Sequence, residues 1–495
     1  MIKITTINKI RNNVSERDAI VDMLNLTYPT CTRVGNIKSS ILKYLDNYRP
    51  DLIVVVEDKY IDKVYRNSFS HFYSTKLFVY PEYCVRLSFL DPAFPLNKFG
   101  EDLSQDLESL YLGFMILRPI YPGCVGRTCI KPNAKINGDN LKIFGTQIRS
   151  SVLGYKAFSN GFPHSSQDDQ YSTCAETSVW ALMEYYGNKY PEYSPILPSD
   201  IHKLLHSLSR GKHVPSTGLL FDEIIYLIQN CGLECETYFK PKSTNINFTE
   251  KDFYRIFSCY IESGIPIIVK VSGDNGLGHA IVCIGKENWQ RSEINNISEY
   301  TKDGVSYKVW NEVCGNFIFN DDNRSCYASD SFYAPTPQYT TLHPYISAFA
   351  VPLHKKIYMS APQAITISQK KSIEDFTFTE KIIFRTFLTS GNSYKNAIIN
   401  DLDLDKTYKT FFASYLNFPK FVWVTEIADG DSFDNNKVDG IVILDATENG
   451  KHTHIAPYPP LFSAYKNENT FYFDNNFRKN ALSLPFRMNT YSNFK

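Results

Sequence analysis

Two hydrophobic patterns follow one another in the middle of the chain. Between residues 174 and 262, apolar positions recur at helical spacing in segments that open on a capping residue. Predicted helices cover residues 174–186, 200–209, 216–230 and 250–262. Beyond residue 264 the pattern changes to short β-rich runs. Predicted strands cover residues 265–271, 279–285, 307–313, 316–320 and 346–353. Helices first and strands second predict a two-lobed α+β domain, with a helical lobe and an antiparallel β lobe.

The flanking regions show the same signals less regularly. Residues 1–155 combine a helical segment with strand-like apolar runs, which predicts an N-terminal α/β domain of unassigned role. Residues 356–495 predict a mostly β domain, also of unassigned role. Within it, residues 364–368 alternate as a strand does, whereas residues 380–387 are typical of the start of a helix. A chain of 495 residues is too long for one core, so we predict three domains, with residues 156–355 in the middle.

Composition argues against several classes of function. Lysine plus arginine equals aspartate plus glutamate at 52 each, and this balance argues against nucleic acid or anionic membranes as partners. No apolar run approaches the ~18 residues of a membrane helix, and the first residues do not resemble a secretory leader. We therefore expect a cytoplasmic protein, and the odd number of cysteines, 11, agrees with free thiols. Without a glycine-rich nucleotide motif or a zinc-ligand spacing, no cofactor and no metal are predicted.

Several polar side chains have ordinary explanations. His202 and His206 are four residues apart on a predicted helix, but the glutamate of a zinc-peptidase helix is missing, so we interpret them as solvated. Arg118, beside an apolar strand, is expected to pair with a carboxylate or with backbone carbonyls rather than to bind an anion. His452 and His454 would point the same way on a strand, but a metal would need a third ligand.

The segment from Gln167 to Glu176 is a polar loop that runs directly into a predicted helix. Thr173 and Glu176 have the spacing of a capping box, which makes Cys174 the first helical residue. A thiol there lies at the positive end of the helix dipole, which favours the reactive thiolate. Most free cysteines are small buried hydrophobic residues, so this position makes Cys174 the candidate nucleophile. Gln167 could donate its side-chain amide to an oxyanion, beside the backbone N–H of Cys174.

Two later segments supply the groups that a thiol nucleophile needs. His279 opens a predicted strand after the glycine-containing turn 276–278, and the pair Asp321 and Asp322 follows another strand. A histidine can act as the general base, and an acid can orient that histidine. Either aspartate could fill the orienting role, because the two are adjacent in sequence.

These residues resemble the papain-fold cysteine peptidases, most closely the bacterial branch that cleaves double-glycine leader peptides. The resemblance covers roughly residues 160–355. It implies four roles: Cys174 as nucleophile, His279 as general base, Asp321 or Asp322 as orienting acid, and Gln167 as oxyanion donor. The gap from Gln167 to the cysteine is one residue longer than is usual in the family, which leaves Gln170 as an alternative donor.

The resemblance implies an intracellular thiol hydrolase that cleaves a peptide or isopeptide bond in a protein or peptide substrate. Large flanking domains favour regulation by a partner protein or a ligand. One alternative is acyl transfer or deamidation by the same triad. Another is a catalytically inactive papain-fold module that only binds partners.

Overall fold

The computed structural model describes most of the chain. The described residues are 2–26, 31–208, 214–242, 244, 247–274, 276, 278–336, 343–401, 404, 406–414, 416–435, 437–448, 460–465, 471–472 and 486–487. The histidines at 452 and 454 and the turn residue Leu277 lie outside them.

Helices and strands alternate along the chain, with 35% of the described residues helical and 31% in strands. The helices are α1 Ile7–Asn12, α2 Val14–Asp22, α3 Cys31–Leu45, α4 Lys63–His71, α5 Ser104–Leu110, α6 Cys174–Lys189, α7 Pro198–His206, α8 Phe221–Asn230, α9 Glu250–Glu262, α10 Ala361–Asp375, α11 Gly391–Ile399, α12 Lys406–Ser414 and α13 Gly430–Asp434. The strands of the first half are β1 Ile2–Thr6, β2 Ile53–Tyr60, β3 Cys84–Leu90, β4 Tyr111–Leu117, β5 Val125–Ile130, β6 Leu141–Ile143, β7 Thr146–Val152, β8 Tyr155–Gly161 and β9 Glu234–Phe239. The strands of the second half are β10 Ile267–Ser272, β11 Gly278–Glu287, β12 Tyr300–Lys302, β13 Val305–Val309, β14 Asn316–Asn320, β15 Ala328–Ser331, β16 Tyr345–Leu353, β17 Ile382–Ser390, β18 Phe421–Asp429, β19 Lys437–Val438, β20 Gly440–Asp445, β21 Phe462–Tyr465, β22 Phe471–Tyr472 and β23 Phe486–Arg487. The predicted mixed α+β class is therefore confirmed.

The chain forms two compact units, and each is discontinuous in sequence. The first contains residues 1–235, 268–288 and 316–350, and the second contains 236–267, 289–315 and 351–495. The three-domain division predicted from the sequence stays a prediction.

Antiparallel sheets form the frame of the first unit. One sheet has the order β1-β2-β3-β4-β5 and is antiparallel throughout. A second has the order β15-β14-β11-β10-β16, and β6 pairs with β11. The two sheets and α6 share one hydrophobic core, to which Val54, Val179 and Val282 contribute. The second sheet and α6 carry the candidate catalytic residues.

The second unit contains a sheet of order β12-β13-β17-β18-β20-β21-β22. Its β13–β17 pair is parallel, whereas β17–β18 and β18–β20 are antiparallel. Side chains such as Phe387, Val424 and Ile443 form a separate core beneath this sheet.

Two predictions in the second unit are wrong. Residues 364–368, predicted as a strand, belong to α10, whose buried positions Ala361, Ala364, Ile365, Ser368 and Ser372 follow a helical period. Residues 380–387, predicted to begin a helix, lead into β17, which is buried along almost its whole length. A strand buried on both faces lacks polar alternation, so its pattern is not distinct from that of a helix.

The first predicted helix, residues 174–186, does not end before Gly187, because this glycine lies inside α6. A Cβ atom on Gly187 would lie 2.2 Å from the backbone nitrogen of Pro195. The glycine therefore permits a close approach of the following loop, and the helix continues to Lys189.

Candidate active site

The loop before the candidate nucleophile folds around one buried carboxylate. Asp168 is 2% exposed, and its Oδ1 accepts backbone N–H bonds from Tyr171 at 2.7 Å, Ser172 at 2.8 Å and Gln170 at 3.0 Å. These three bonds fix the path of the chain into α6. Asp168 was not singled out in the sequence, although aspartate that bonds the backbone a few residues ahead is a common turn signal.

Glu176 fixes the start of α6, as the capping-box spacing predicted. Its carboxylate accepts the backbone N–H of Thr173 at 3.1 Å and also the Thr173 hydroxyl. The other carboxylate oxygen accepts the hydroxyl of Ser216 from a neighbouring loop. Cys174 is therefore the first residue of a well-anchored helix, where the unpaired N–H groups of the first turn favour an anion.

Cys174 also differs from other cysteines in exposure, because it is half-buried and opens onto a groove. Cys124 and Cys129 are fully buried, and burial raises the pKa of both thiols to about 12. Thiols of this kind stay protonated and unreactive. Helix position and exposure thus set Cys174 apart from these two.

The histidine lies on a strand that packs against the same helix. Ser178, one turn after Cys174, donates its hydroxyl to the carbonyl of Ala280 at 3.1 Å. This contact aligns the face of α6 that carries Cys174 with the start of β11. His279 is 3% exposed and lines the same groove as Cys174, and the Cys174 side chain is one of the groups that raise the pKa of its ring.

The acids reach the histidine through the register of the sheet. Strands β11 and β14 are antiparallel and place Asn320 opposite Val282, so the residues after Asn320 run back towards His279. The Nε2 atom of His279 lies 3.0 Å from Asp321 Oδ1 and 3.5 Å from Asp322 Oδ1. Because Nε2 faces the acids, Nδ1 is the ring nitrogen left for Cys174.

The two aspartates are in different electrostatic states. Burial would raise the pKa of Asp321, but the hydrogen bond and charge of His279 outweigh it and lower that pKa below its usual range. Burial and the charge of Asp321 raise the pKa of Asp322 to about 8. Near neutral pH, Asp321 is therefore the carboxylate and Asp322 holds a proton.

His279 responds in the opposite direction to an ordinary buried histidine. Burial lowers its pKa, but the hydrogen bond to Asp321, the nearby Cys174 side chain and the charges of the two aspartates together raise that pKa well above 6.5. Hence the imidazolium form, which can hold a thiolate, is favoured. A second buried histidine behaves conventionally, since burial lowers the pKa of His164 to about 4.

Gln167 is connected to the acid through an asparagine that the sequence analysis missed. Its side-chain amide donates to Asn323 Oδ1 at 3.0 Å, and the backbone N–H of Asn323 donates to Asp321 Oδ1 at 3.0 Å. The backbone carbonyl of Gln170, the alternative donor, accepts the N–H of Ser216 at 2.7 Å. Asn323 carries little sequence signal beyond its place next to the two aspartates.

A groove of about 690 Å³ opens over Cys174 and His279. One wall is the loop at residues 216–220, and the other contains Lys270 and Ser272 from β10. Added Cβ atoms at Gly276 and Gly278 would meet nothing within 4 Å, so the rim beside His279 is open. The volume is in the usual range of small-ligand and substrate sites.

His279, Asp321 and Asp322 could also hold a metal ion, because one ligand atom from each lies within 4.8 Å of the others. Nitrogen and carboxylate ligands of this kind are typical of zinc and other divalent metals. The sequence analysis predicted no metal, and a chelator separates the two interpretations.

The remaining predictions for polar residues have mixed outcomes. Arg118 donates to the carbonyls of Gly123 and Ser166 at 2.8 Å, which confirms the expected backbone pairing. His206 is exposed as predicted, but the prediction for His202 is wrong. The Nε2 of His202 lies 2.7 Å from the carbonyl of Tyr171, so this histidine supports the loop before Cys174.

Among the residues that the structure describes, no helix is both long and apolar enough to cross a bilayer. No protein-family model and no curated protein matches the chain.

Proposed function

We propose that this chain is a cysteine peptidase that hydrolyses a peptide or isopeptide bond, with Cys174 as nucleophile, His279 as general base and Asp321 as orienting acid. One observation carries the proposal. His279 lines the same groove as Cys174 and places its Nε2 3.0 Å from Asp321 Oδ1, although the three residues come from three separate elements. This is the connectivity of a nucleophile–base–acid triad.

The chemistry follows from this connectivity. His279 holds the proton of the Cys174 thiol, and the thiolate attacks the substrate carbonyl. The oxyanion lies against the backbone N–H of Cys174, and Gln167, the second donor that the resemblance implies, would have to turn its amide from Asn323 to reach it. The imidazolium then protonates the leaving amine. His279 takes a proton from a water molecule, which hydrolyses the thioester and restores the thiol.

The order of elements in the first unit supports a papain-like arrangement. Three helices, α6 to α8, precede the antiparallel strands β10, β11, β14 and β16. The nucleophile lies at a helix start and the base and acid lie on strands, as in that family. The other parts of the chain would then regulate the peptidase, in the cytoplasm as the sequence predicts.

The groove favours substrates with an acidic group near the scissile bond. Ile268 and Lys270 are two residues apart on β10 and therefore share one face of this strand. Ile268 lies in the core, and Lys270 lines the groove. Within the described residues, no carboxylate lies within 4 Å of its ammonium. The other charged wall residue, Glu223, is buried and accepts the N–H of Leu220 at 2.8 Å, which leaves Lys270 to meet the substrate.

The test uses the full chain and a mixed peptide library analysed by mass spectrometry. We expect cleavage that Cys174→Ala and His279→Ala each abolish, with a circular dichroism spectrum like that of the wild type. Cys231→Ser is the matched control, since Cys231 is also half-buried but lies outside the groove. Full activity in both active-site variants would rule out the proposal.

The same experiment separates the alternatives. A product heavier by about 1 Da than its substrate, which is the amide-to-acid mass difference, would indicate deamidation by the same triad, and a crosslinked product would indicate acyl transfer. Cleavage that a chelator abolishes would indicate a metal at His279, Asp321 and Asp322 instead. If a thiol-reactive probe labels Cys174 no faster than Cys231, the chain is a binding module.

A further inference from the structure

A second groove, of about 750 Å³, lies in the first unit next to the loop of residues 321–327. This loop carries Asp321 and Asp322, and we call it the acid loop. We call the groove the lysine groove. Its lining includes three cations from three different parts of the chain: Lys43 of α3, Lys135, and Arg324 of the acid loop. We propose that the lysine groove binds a small molecule with a phosphate group, and that this ligand acts on the acid loop.

Lys135 is the main observation. The side chain is buried, 5% exposed, and its ammonium donates to the backbone carbonyl of Cys326. Within the described part of the chain, no carboxylate lies within 4 Å of this ammonium. A buried charge without a counter-charge is costly, and a bound anion would offset that cost.

Neighbouring cations increase that cost. Burial lowers the pKa of Lys135, the Cys326 side chain opposes this, and Arg324 lowers it further. Arg324 itself is paired with Asp330, whereas the Lys43 ammonium donates to the carbonyl of Asn323 at 3.1 Å and, among the described residues, has no carboxylate within 4 Å. One phosphate dianion would match the two unpaired ammonium groups, whereas a single carboxylate would not.

The other end of the groove has the opposite charge. Glu287 and Asp139 line the end where β6 pairs with β11, and Glu287 accepts the hydroxyl of Ser329. These acids would repel a polyanion and accept hydroxyl or amino groups. The groove therefore fits a phosphomonoester with hydroxyl or amino groups at its far end, rather than a polyphosphate or a nucleic acid.

The same contacts link the lysine groove to the candidate triad. Lys43 holds the carbonyl of Asn323, and the next residue, Tyr44, donates its hydroxyl to the carbonyl of Asp322 at 2.7 Å. Ser325 donates back to the carbonyl of Tyr44 at 2.8 Å. A ligand that draws the ammonium of Lys43 away from Asn323 would therefore change the support of the aspartates. This second step rests on the proposed function, whereas the binding step does not.

Binding is tested by calorimetry on the full chain with inorganic phosphate and with glycerol phosphate, at constant ionic strength set by chloride. We expect saturable binding of both ligands, and tighter binding of glycerol phosphate. Lys43→Glu should weaken binding about tenfold or more, because it reverses a charge that contacts the ligand. Lys142→Glu, an exposed lysine of β6 outside the groove, should leave binding unchanged.

Lys135→Met gives a second, stricter variant. It removes the buried charge and keeps the length of the side chain, so we expect loss of phosphate binding with no loss of thermal stability. Two results would overturn the site. One is the absence of saturable binding to the wild type, and the other is binding as tight as that of the wild type in both Lys43→Glu and Lys135→Met.

The link to the triad is measured as the rate at which iodoacetamide labels Cys174. Phosphate should change this rate in the wild type and in Lys142→Glu but not in Lys43→Glu. Binding without any change in rate would overturn the link and leave the site. Binding to a chain whose Cys174 shows no selective reactivity would contradict the proposed function and leave the site.

Discussion

The nucleophile side and the base–acid side of the candidate site depend on different ranges of sequence. Around Cys174, Asp168 and Glu176 accept backbone N–H bonds from residues two to four positions away. Around His279, the contact with Asp321 spans 42 residues, and the contact that holds Asp322 to Tyr44 spans 278. The first side is a local structure that a short segment can specify. The second exists only when helix α3 and two strands are in place.

The two sides also differ in how they hold charge. The start of α6 stabilises an anion through backbone N–H groups, which cost nothing to keep near water. The base–acid side holds a histidine and two aspartates that are each at most 5% exposed. Buried charges are stable only while every partner is present. Removing one of the three side chains should therefore have a large effect on the charges of the other two. We therefore expect substitutions on the base–acid side to change activity more than substitutions of the residues that cap the helix start.

The largest effect is expected for His279→Ala. Without the imidazolium, the thiolate of Cys174 loses its counter-charge and the leaving amine loses its proton donor. The rate at which iodoacetamide labels Cys174 should fall, and peptide cleavage should drop by about 10²–10⁴-fold. His206→Ala, at an exposed histidine of α7, is the matched control and should behave as wild type. Equal labelling rates in all three proteins would mean that the helix start alone activates the thiol.

Asp321→Asn should have the next largest effect, about 100-fold in kcat/KM, because the carboxylate that orients and charges the imidazole is lost. The hydrogen bond from His279 to Asp321 contributes to the raised pKa of the histidine. In the wild type, activity should fall only at alkaline pH, as His279 loses its proton. In the variant this alkaline limb should move to lower pH. An unchanged pH–rate profile would show that Asp321 does not act on His279.

Asp322→Asn should have little effect on activity but a measurable effect on stability. The folded protein keeps a proton on Asp322 up to about pH 8, whereas the unfolded chain releases it near pH 3.8. The folded state therefore binds more protons in this window, so this residue makes the free energy of unfolding fall as pH rises. Asparagine does not titrate, and the variant should melt at least about 2 °C higher at pH 8. The two melting temperatures should converge near pH 4, and a constant difference at both pH values would contradict this assignment.

Glu176→Gln should have the smallest effect. The amide keeps one acceptor oxygen but cannot accept the hydroxyl of Ser216 and cap Thr173 as the carboxylate does. We expect the free energy of unfolding to fall by about 1 kcal/mol, as for other lost helix caps, with activity nearly unchanged. The control is Glu250→Gln, at the more exposed start of α9. A loss of activity as large as that of Asp321→Asn would show that the nucleophile side is no more tolerant than the base–acid side.

The sequence by itself located the local features of this protein. The helix start at Cys174, the capping role of Glu176 and the strand that begins near His279 all follow from spacing and residue type. These features are readable because their hydrogen bonds close within a few residues. A local signal with two explanations stays undecided in the sequence. The alternation at residues 364–368 predicts a strand, but these residues lie in a helix.

Only the tertiary structure decided what lies against what. It distinguished Asp321 from Asp322, placed Asn323 between Gln167 and the acid, and brought Lys43 and Lys135 to the same groove. Gly187 shows the same limit, because a loop that packs against the helix explains the glycine better than a helix end does. The physical reason is common to these cases. Burial and neighbouring charge set the protonation state and the partners of a side chain, and both depend on residues far away in the sequence.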